Sequence, residues 1–523
     1  MQNPESDFHQ QPQVKLVNCF NSPYDNAVAA ARTCYSPRII YADEVGKDQA
    51  SRAKRDAISK STFLAGHHTI LQHSSFQFAI EKTSRLCIWS FLHSHPFYNS
   101  EQVSQRYVEV SPENFYSPAM KETLRPIYNQ AVGRLMESYV KLQELIKRAV
   151  EEEYKSIFPN RPLSEKKWQS AVKKKCQEAA RYVLPLAAHA HLYHTISGLT
   201  LLRYMRLCQT FDAPAEQKIL VGKMAGEVRK LDPRFLDNAE DPLPLEETPE
   251  YRAFTDFRSK PKSSADDFHK EFDASLGGFS SLLVDSKPNS QAVFAGAVRN
   301  VLGLTRSEMD DASAIDLVLN PAKNKYLSET LNLNHHAKIT RAMFHPHFTF
   351  RKKLSHSADS QDQKHRGTPG SRPVLSAQVP AKPDYITPQI ISSVPEANEL
   401  FSRAMESLWA DISRLQSLGL DAEASLYLLP NAIPIRFEES GSLMDFHHKW
   451  VHRLCYTAQE EIWRNCLEEV KQVREKFPLI GKHIYAPCAL RETAGRKPFC
   501  PEGDRYCGVP VWKLPLEDYK RLT

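Results

Sequence analysis

His73-Ser74-Ser75-Phe76-Gln77-Phe78 and His345-Pro346-His347-Phe348-Thr349-Phe350 are the two stretches on which the architecture turns. Each alternates apolar and polar side chains, the period of a half-buried strand. A second echo follows in the same order: Tyr182-Val183-Leu184-Pro185 returns as Tyr427-Leu428-Leu429-Pro430. Each Leu-Pro sits between two helical patterns, where proline would end the first helix. Two echoes in one order read as a duplicated domain, because fixed-order self-similarity marks repeated architecture.

Outward from these anchors the helices are legible. Over 121–157, Ile127, Val132, Leu135, Tyr139, Leu142 and Ile146 hold an apolar stripe of helical period. Over 400–418, Phe401, Met405, Leu408, Ile412 and Leu415 do the same, with Pro395 ahead as a first-turn residue. Between the halves, 232–289 is rich in Pro, Asp, Glu, Lys and Ser and reads as a linker with one helix around 248–257. The expected organisation is domain one over 14–231, the linker, domain two over 290–475 and a separate tail over 476–523. The fold class is α+β, two tandem domains, each a small mixed sheet packed with long helices.

Bulk properties exclude several classes. A chain of 523 residues exceeds what one core serves. Hydrophobic residues at 41% and charged residues at 25% are a globular balance. A net charge of +6 without a dense basic block suits anionic small molecules rather than nucleic acid. No apolar run reaches membrane-span length, so the expectation is a soluble, cytoplasmic protein with no membrane partner. With 18 glycines and no Gly-rich turn after a strand, a Rossmann or P-loop site is not expected.

The ordered motifs resemble those of the flavin-dependent thymidylate synthases. Ala29-Ala30-Ala31-Arg32-Thr33-Cys34-Tyr35 looks like the first helix of that family. Gly66-His67-His68-Thr69 with His73 and Phe76-Gln77-Phe78 resembles its Gly-His-x-Thr/Ser…His…Phe-x-Phe segment. Asn99…Ser104-Gln105-Arg106-Tyr107 resembles Asn-Glu-x-Ser-x-Arg-Tyr, and Ala180-Arg181…Leu184-Pro185 resembles Ala-Arg-x-x-Leu-Pro. Counted without gaps from Phe350, domain two offers Gln361-Asp362-Gln363-Lys364-His365-Arg366, similar to the family's Gln-x-x-Arg-His-Arg. Counted the same way from Phe78, domain one offers Leu92-His93-Ser94, with both arginines gone. Domain two keeps Arg453…Ala458-Gln459-Glu460-Glu461-Ile462. Domain one has Cys208 in place of that arginine, and domain two has Leu426 in place of Arg181.

The losses are complementary, which implies one composite site in an internal pseudo-dimer. The resemblance implies FAD-dependent reductive methylation of dUMP to dTMP, with methylenetetrahydrofolate and NADPH (or NADH) as co-substrates. Ser104, Gln105, Arg106, Arg181, Gln361 and Lys364 would bind dUMP, and Arg453 would face the uracil as the catalytic residue. His67, Thr69, Lys364, His365 and Arg366 would contact FAD. Guanidinium groups suit a nucleotide phosphate because their planar forks donate paired, charge-assisted hydrogen bonds. Against the family pattern, its flavin-binding Asn and Arg are replaced by Ser197 and Leu199 in one half and by Ser442 and Met444 in the other. That leaves two alternatives open: a nucleotide-binding pseudoenzyme of the same fold, or flavin-dependent alkylation of another uracil nucleotide. Family assembly implies a homodimer of the double chain, giving four domains.

Plainer readings stand beside these. Arg453 could pair with Glu460 or Asp445, His67, His68 and His73 could be core histidines, and His365 could sit on a solvated basic face. No cysteine nucleophile is implied, so Cys34, Cys87 and Cys176 read as buried thiols. In the tail, Cys488, Cys500 and Cys507 suggest either a structural metal, with His483, Cys455 or Cys466 as fourth ligand, or thiols capping domain two.

Overall fold

Alternating side chains make the sheets. In the computed structural model, which describes residues 11–237, 243–258 and 264–521, strands β1 (Gln13–Cys19), β2 (Ser75–Ser84), β3 (Asn99–Gln102) and β4 (His189–Ser197) form one sheet in the order β1-β2-β4-β3. Strands β5 (Ser281–Ser286), β6 (His347–Ser355) and β7 (Pro434–Ser442) form a second, in the order β5-β6-β7. Neighbouring strands in both sheets pair antiparallel. Phe76 and Phe78 pair with Ile196 and His194, while Phe348 and Phe350 pair with Gly441 and Glu439. All four phenylalanines are fully buried. The two sheets therefore repeat one register, which is the duplication in three dimensions: two tandem α+β domains.

Three features depart from the sequence reading. A strand, β4 or β7, separates each Leu-Pro from the helix after it, Gly198–Leu207 or Leu443–Arg453. The stretch expected as linker carries helices Pro249–Arg258 and Ala265–Ser275 and ends in β5, which pairs with β6. Its composition is loop-like, yet Ser281-Leu282-Leu283-Val284 supplies a short apolar edge strand. Thirdly, β2 bulges: Ile80 pairs with Leu192 and Thr83 with Ala190, and Lys82 takes a positive φ of 55°. Strand β6 has no such break. One residue is thus inserted in the first copy, as a bulge requires.

The compact units do not follow the two copies. Unit one comprises residues 1–129, 185–263 and 414–429; unit two comprises 130–184, 264–413 and 430–523. Each unit thus contains a segment of the other copy around its Leu-Pro. Within unit one, Leu186 N–H and Ala187 N–H donate to Leu429 and Tyr427 carbonyls, each at 2.8 Å. Within unit two, the equivalent Asn431 N–H and Ala432 N–H donate to Leu184 and Tyr182 at 2.8 and 2.9 Å. A buried glutamate anchors each junction. In unit two, Ser355 N–H and Oγ–H each donate to Glu461 at 2.6 Å, and Tyr182 Oη–H donates to the same carboxyl. In unit one, Ser84 N–H donates to Glu216 at 2.7 Å, joined by the Ser84 and Thr83 hydroxyls.

Burial raises the Glu216 carboxyl to about 7 from an ordinary 4.5, against the hydrogen bonds from Ser84 and Thr83 that favour ionisation. An acid whose pKa is higher folded than unfolded contributes stability that is full below the unfolded pKa and lost as pH rises through the folded one. Relative to Glu216→Gln, the wild-type protein should therefore lose on the order of 3 kcal/mol between those two pH values. Urea unfolding of both proteins across that range checks this. A difference that stays constant with pH would refute it.

Candidate active site

The helix Leu443–Arg453 presents its polar residues on two sides. Lys449 points inward and is fully buried, whereas Arg453 at the C-terminal end is half-buried. Arg453 Nη2 donates to the Gln361 carbonyl at 2.7 Å, capping the short helix His356–Asp362. Glu460 is engaged by Arg464, and Asp445 accepts from Ser442. His365 follows at once, its N–H donating to the Asp362 carbonyl at 2.9 Å, with its ring 5.9 Å from that of His448. Burial, reinforced by the neighbouring Arg453 guanidinium, pushes His365 well below the usual imidazole range. It is therefore neutral at neutral pH, a hydrogen-bonding group rather than a charge. Lys364 and Arg366 flank it and are exposed.

Arg181 lies in the same unit. Its carbonyl accepts from Asn431 Nδ2 at 3.0 Å, and the Asn431 carbonyl accepts from Ser357 N–H at 2.9 Å, at the start of the helix that carries Gln361. The Arg181 side chain is 4% exposed. Around this helix, Ser357 Oγ, Gln361 Nε2 and Asp362 Oδ1 are buried with no hydrogen-bond partner among the described residues. Orphaned buried polar atoms are costly unless something else satisfies them.

Beneath the site lies a fully buried ionic network. Lys449 Nζ donates to both oxygens of Glu439 at 2.7 Å and to Asp362, while Lys352 reaches Glu439 at 2.9 Å and Glu469 at 2.8 Å. Trp450 Nε1 and Ser281 Oγ also donate to Glu469, at 2.6 and 2.9 Å. Burial works against ionisation, and the two ammonium groups overcome it, holding Asp362 and Glu439 below the usual carboxylate range. Nothing in the hydrophobic patterning announced this network.

In unit one the counterparts of the ionic network are uncharged. The Lys82 bulge shifts the gapless count by one, so Ser84 corresponds to Ser355; both cap the following helix. Lys364-His365-Arg366 then aligns with His93-Ser94-His95, not Leu92-His93-Ser94, and Asp362 with Phe91. The ionic network maps onto Ile80, Phe91, His194, Tyr204 and Met224. There Phe91 packs against His194 and Tyr204 at 5.5 and 5.6 Å, and His194 Nε2 meets Tyr204 Oη at 3.0 Å. Leu426 and Cys208 complete the substitution, both buried.

The remaining expected residues also fall in unit one. Gln105 is buried, Ser104 and Arg106 are half-buried, and Arg106 N–H donates to Ser104 Oγ at 3.3 Å. His67 and Thr69 are exposed, and the pocket His67 lines holds about 10 Å³, too little for a ring system. Ser197 and Ser442 cap their helices, and Leu199 and Met444 are core, so these four positions serve the scaffold. Cys87 and Cys176 are buried as expected, but Cys34 is exposed at its helix end. Arg372 is held by Asp359 at 2.8 Å. Cys455 and the tail's Cys488, Cys500 and Cys507 line one cavity of about 20 Å³, whereas Cys466 and His483 lie outside its lining. Burial raises Cys488 to about 12 and Cys507 to about 11, so they stay protonated. No group of three His, Cys, Asp or Glu among the described residues could hold a metal ion.

The family model for thymidylate synthase complementing protein matches residues 15–234 and again 282–479, most of the chain and each copy in turn. The chain is a double-length member of the flavin-dependent thymidylate synthase family. It is 29% identical over 225 residues to a flavin-dependent thymidylate synthase of Clostridium tetani, covering 42% of this chain and 84% of that protein. A second family member, from Nitratidesulfovibrio vulgaris, is 25% identical over 237 residues, covering 44% and 87%. Among solved structures, the UMP/dUMP methylase PolB of Streptomyces cacaoi, bound with 5-Br dUMP, aligns with a TM-score of 0.32 at 18% identity, covering 44% of this chain and 94% of that one. The family matches end at residue 479. No described helix of this family member is long and apolar enough to cross a membrane.

Proposed function

We propose that this family member methylates dUMP to dTMP at a single site in unit two, using FAD, NADPH and methylenetetrahydrofolate. The observation that carries the reading is the interleaving. Arg181 of the first copy and Gln361, Lys364, His365, Arg366 and Arg453 of the second fall in one unit, while Leu426, His93-Ser94-His95 and Cys208 fall in the other. Arg181 would hold the nucleotide phosphate, where a guanidinium fork suits a dianion. Arg453, fixed by the Gln361 carbonyl, would stabilise negative charge on the uracil ring, a preorganised donor that costs no reorganisation.

The residues present fit a flavin in part. The orphaned Gln361 Nε2 and the neutral His365 offer hydrogen bonds, and Lys364 and Arg366 offer charge to its phosphates. Ser442 caps its helix and Met444 is buried, where the family's pattern has Asn and Arg. When bound, the flavin supplies the reducing equivalents. The chain's own residues orient the nucleotide and balance its charge.

Purified protein should carry or take up FAD, read by its visible absorbance, and should support growth of a thymidine-requiring bacterium. Protein that binds FAD but fails to support growth would point to another uracil nucleotide. Protein that cannot be reconstituted with FAD would sink the enzymatic reading.

A further inference from the structure

Four of the ten cysteines meet at one place. Cys455, two residues past the end of the helix Leu443–Arg453, lines a single cavity in unit two together with the tail's Cys488, Cys500 and Cys507. Of the three fourth partners that the sequence offered to the tail thiols, Cys466 and His483 lie outside this lining and Cys455 lies in it. All four are free thiols. Three of them lie beyond residue 479, where the family matches end, and none has a part in the proposed reaction.

The backbone holds these thiols where they are. Cys488 stands in the first turn of the helix Pro487–Thr493, and Cys500 and Cys507 bracket the short turn Gly503–Arg505. Gly508, at a positive φ of 85°, presses the loop onto the end of the helix Arg125–Ile157. A Cβ there would fall 2.4 Å from Ile157 Cγ2 and 2.5 Å from the Phe158 ring. Beside Cys455, Tyr456 Oη accepts from Lys520 N–H at 3.0 Å, which brings the end of the tail back over the cluster. Beyond Thr493 the regular structure among the described residues is three single turns, Gly503–Arg505, Val511–Lys513 and Leu516–Asp518. Chain so poor in helix and strand is commonly stapled by disulfides or a metal. The backbone at Glu502 and at Val509, in each case two residues past the cysteine, also favours the thiolate form of Cys500 and Cys507 against the burial that opposes it.

Two thiophilic centres take four cysteines: a zinc ion, which draws its sulfurs onto one point at about 2.3 Å, and an iron–sulfur cluster. The geometry separates them. No three of these residues form a group that could hold one ion, although all four face one cavity. A cluster with four irons asks for that arrangement, because each cysteine ligates a different iron and sulfide fills the middle. The centre of a water molecule can range over about 20 Å³ between the thiols, so the void itself extends a water radius further on every side. The rest of the wall is largely apolar, with Ala486, Pro487, Pro501 and Val511, the kind of shell that keeps water from a metal centre. We infer that Cys455, Cys488, Cys500 and Cys507 ligate a four-iron, four-sulfide cluster that ties the tail to the chain following Arg453. Binding releases the four thiol protons and leaves four thiolates on iron. The inference is independent of the proposed reaction, because cluster content is read without turnover.

The test is metal and acid-labile sulfide analysis of the full-length protein, purified without oxygen and reconstituted with ferrous iron and sulfide. About four irons and about four sulfides per chain are expected, since four cysteines hold one such cluster. Chemical analysis is chosen over absorbance, which a flavin would obscure. Cys500→Ala and Cys507→Ala should each lower both contents by about fivefold or more, because a cluster loses a ligand in each. Cys34→Ala, at an exposed thiol in unit one, should leave both contents unchanged. The wild-type contents decide the matter even if a tail variant misfolds. Iron and sulfide at trace levels, or stoichiometric zinc without sulfide, would overturn the inference. So would full iron and sulfide in Cys500→Ala and Cys507→Ala.

Discussion

Replacing Arg453 with alanine is expected to reduce turnover of dUMP by roughly 10²–10³-fold, the usual cost of deleting a preorganised donor at a site of developing charge. Arg181→Ala should fall in the same range, with a larger share in dUMP affinity, because a phosphate contact is made in the ground state as well as the transition state. The informative controls are in the other unit. Cys208→Ala and Ser94→Ala, at the counterparts of Arg453 and His365, should leave turnover within about twofold, as expected away from a site. Steady-state kinetics with varied dUMP reads both parameters. Because Arg453 also donates to the Gln361 carbonyl, Arg453→Lys adds a check. A point charge restores electrostatics but not the forked geometry, so it should recover only part of the loss. Should Cys208→Ala prove as damaging as Arg453→Ala, the asymmetric single-site reading would be wrong.

Much of this was legible in the residues, and what was not has identifiable causes. The paired phenylalanines and the Leu-Pro echoes are local signals that a duplication cannot hide, and they mark β2 and β6 and the turns at Pro185 and Pro430 in the two halves. Strands β4 and β7 escaped notice because their core-facing positions carry His194 and Glu439. A polar residue inside breaks the apolar alternation that marks a strand. The insertion at Lys82 is silent in sequence, since a bulge needs only one residue in a permissive backbone conformation. Ungapped counting therefore put Leu92, rather than His93, opposite Lys364. The interleaving of the copies is tertiary. It depends on hydrogen bonds such as Leu186 to Leu429 and Asn431 to Leu184, which no periodicity encodes. It nevertheless strengthens the complementary-loss argument, because Arg181 joins the residues of the second copy.

Lys449→Met should destabilise the protein by about 3–5 kcal/mol, the cost of removing one partner from a buried ionic group. Asp362 and Glu439 would then share only Lys352, which is also engaged by Glu469. The loss reaches the site, since Asp362 sits between the carbonyl that accepts from Arg453 and the backbone that positions His365. The first copy already contains an alternative solution to the same packing problem. Transplanting it whole (Lys352→Ile, Asp362→Phe, Glu439→His, Lys449→Tyr and Glu469→Met) should recover most of the stability, because replacing an entire buried ionic cluster by a packed apolar set is often neutral or stabilising. Trp450 and Ser281 would lose their acceptor on Glu469, so recovery should fall short by about 1–3 kcal/mol. The pH dependence separates the two variants. Carboxyls held below their ordinary pKa contribute stability above the unfolded value, and that stability is lost as pH falls through the folded one. The wild-type protein should accordingly weaken in acid below the usual carboxylate range, and the five-residue transplant should weaken less. Chemical denaturation at neutral and acid pH measures both. Equal acid sensitivity in the two proteins would mean that the network is not a source of stability, and that the charge beneath Arg453 and His365 has to be explained by the site alone.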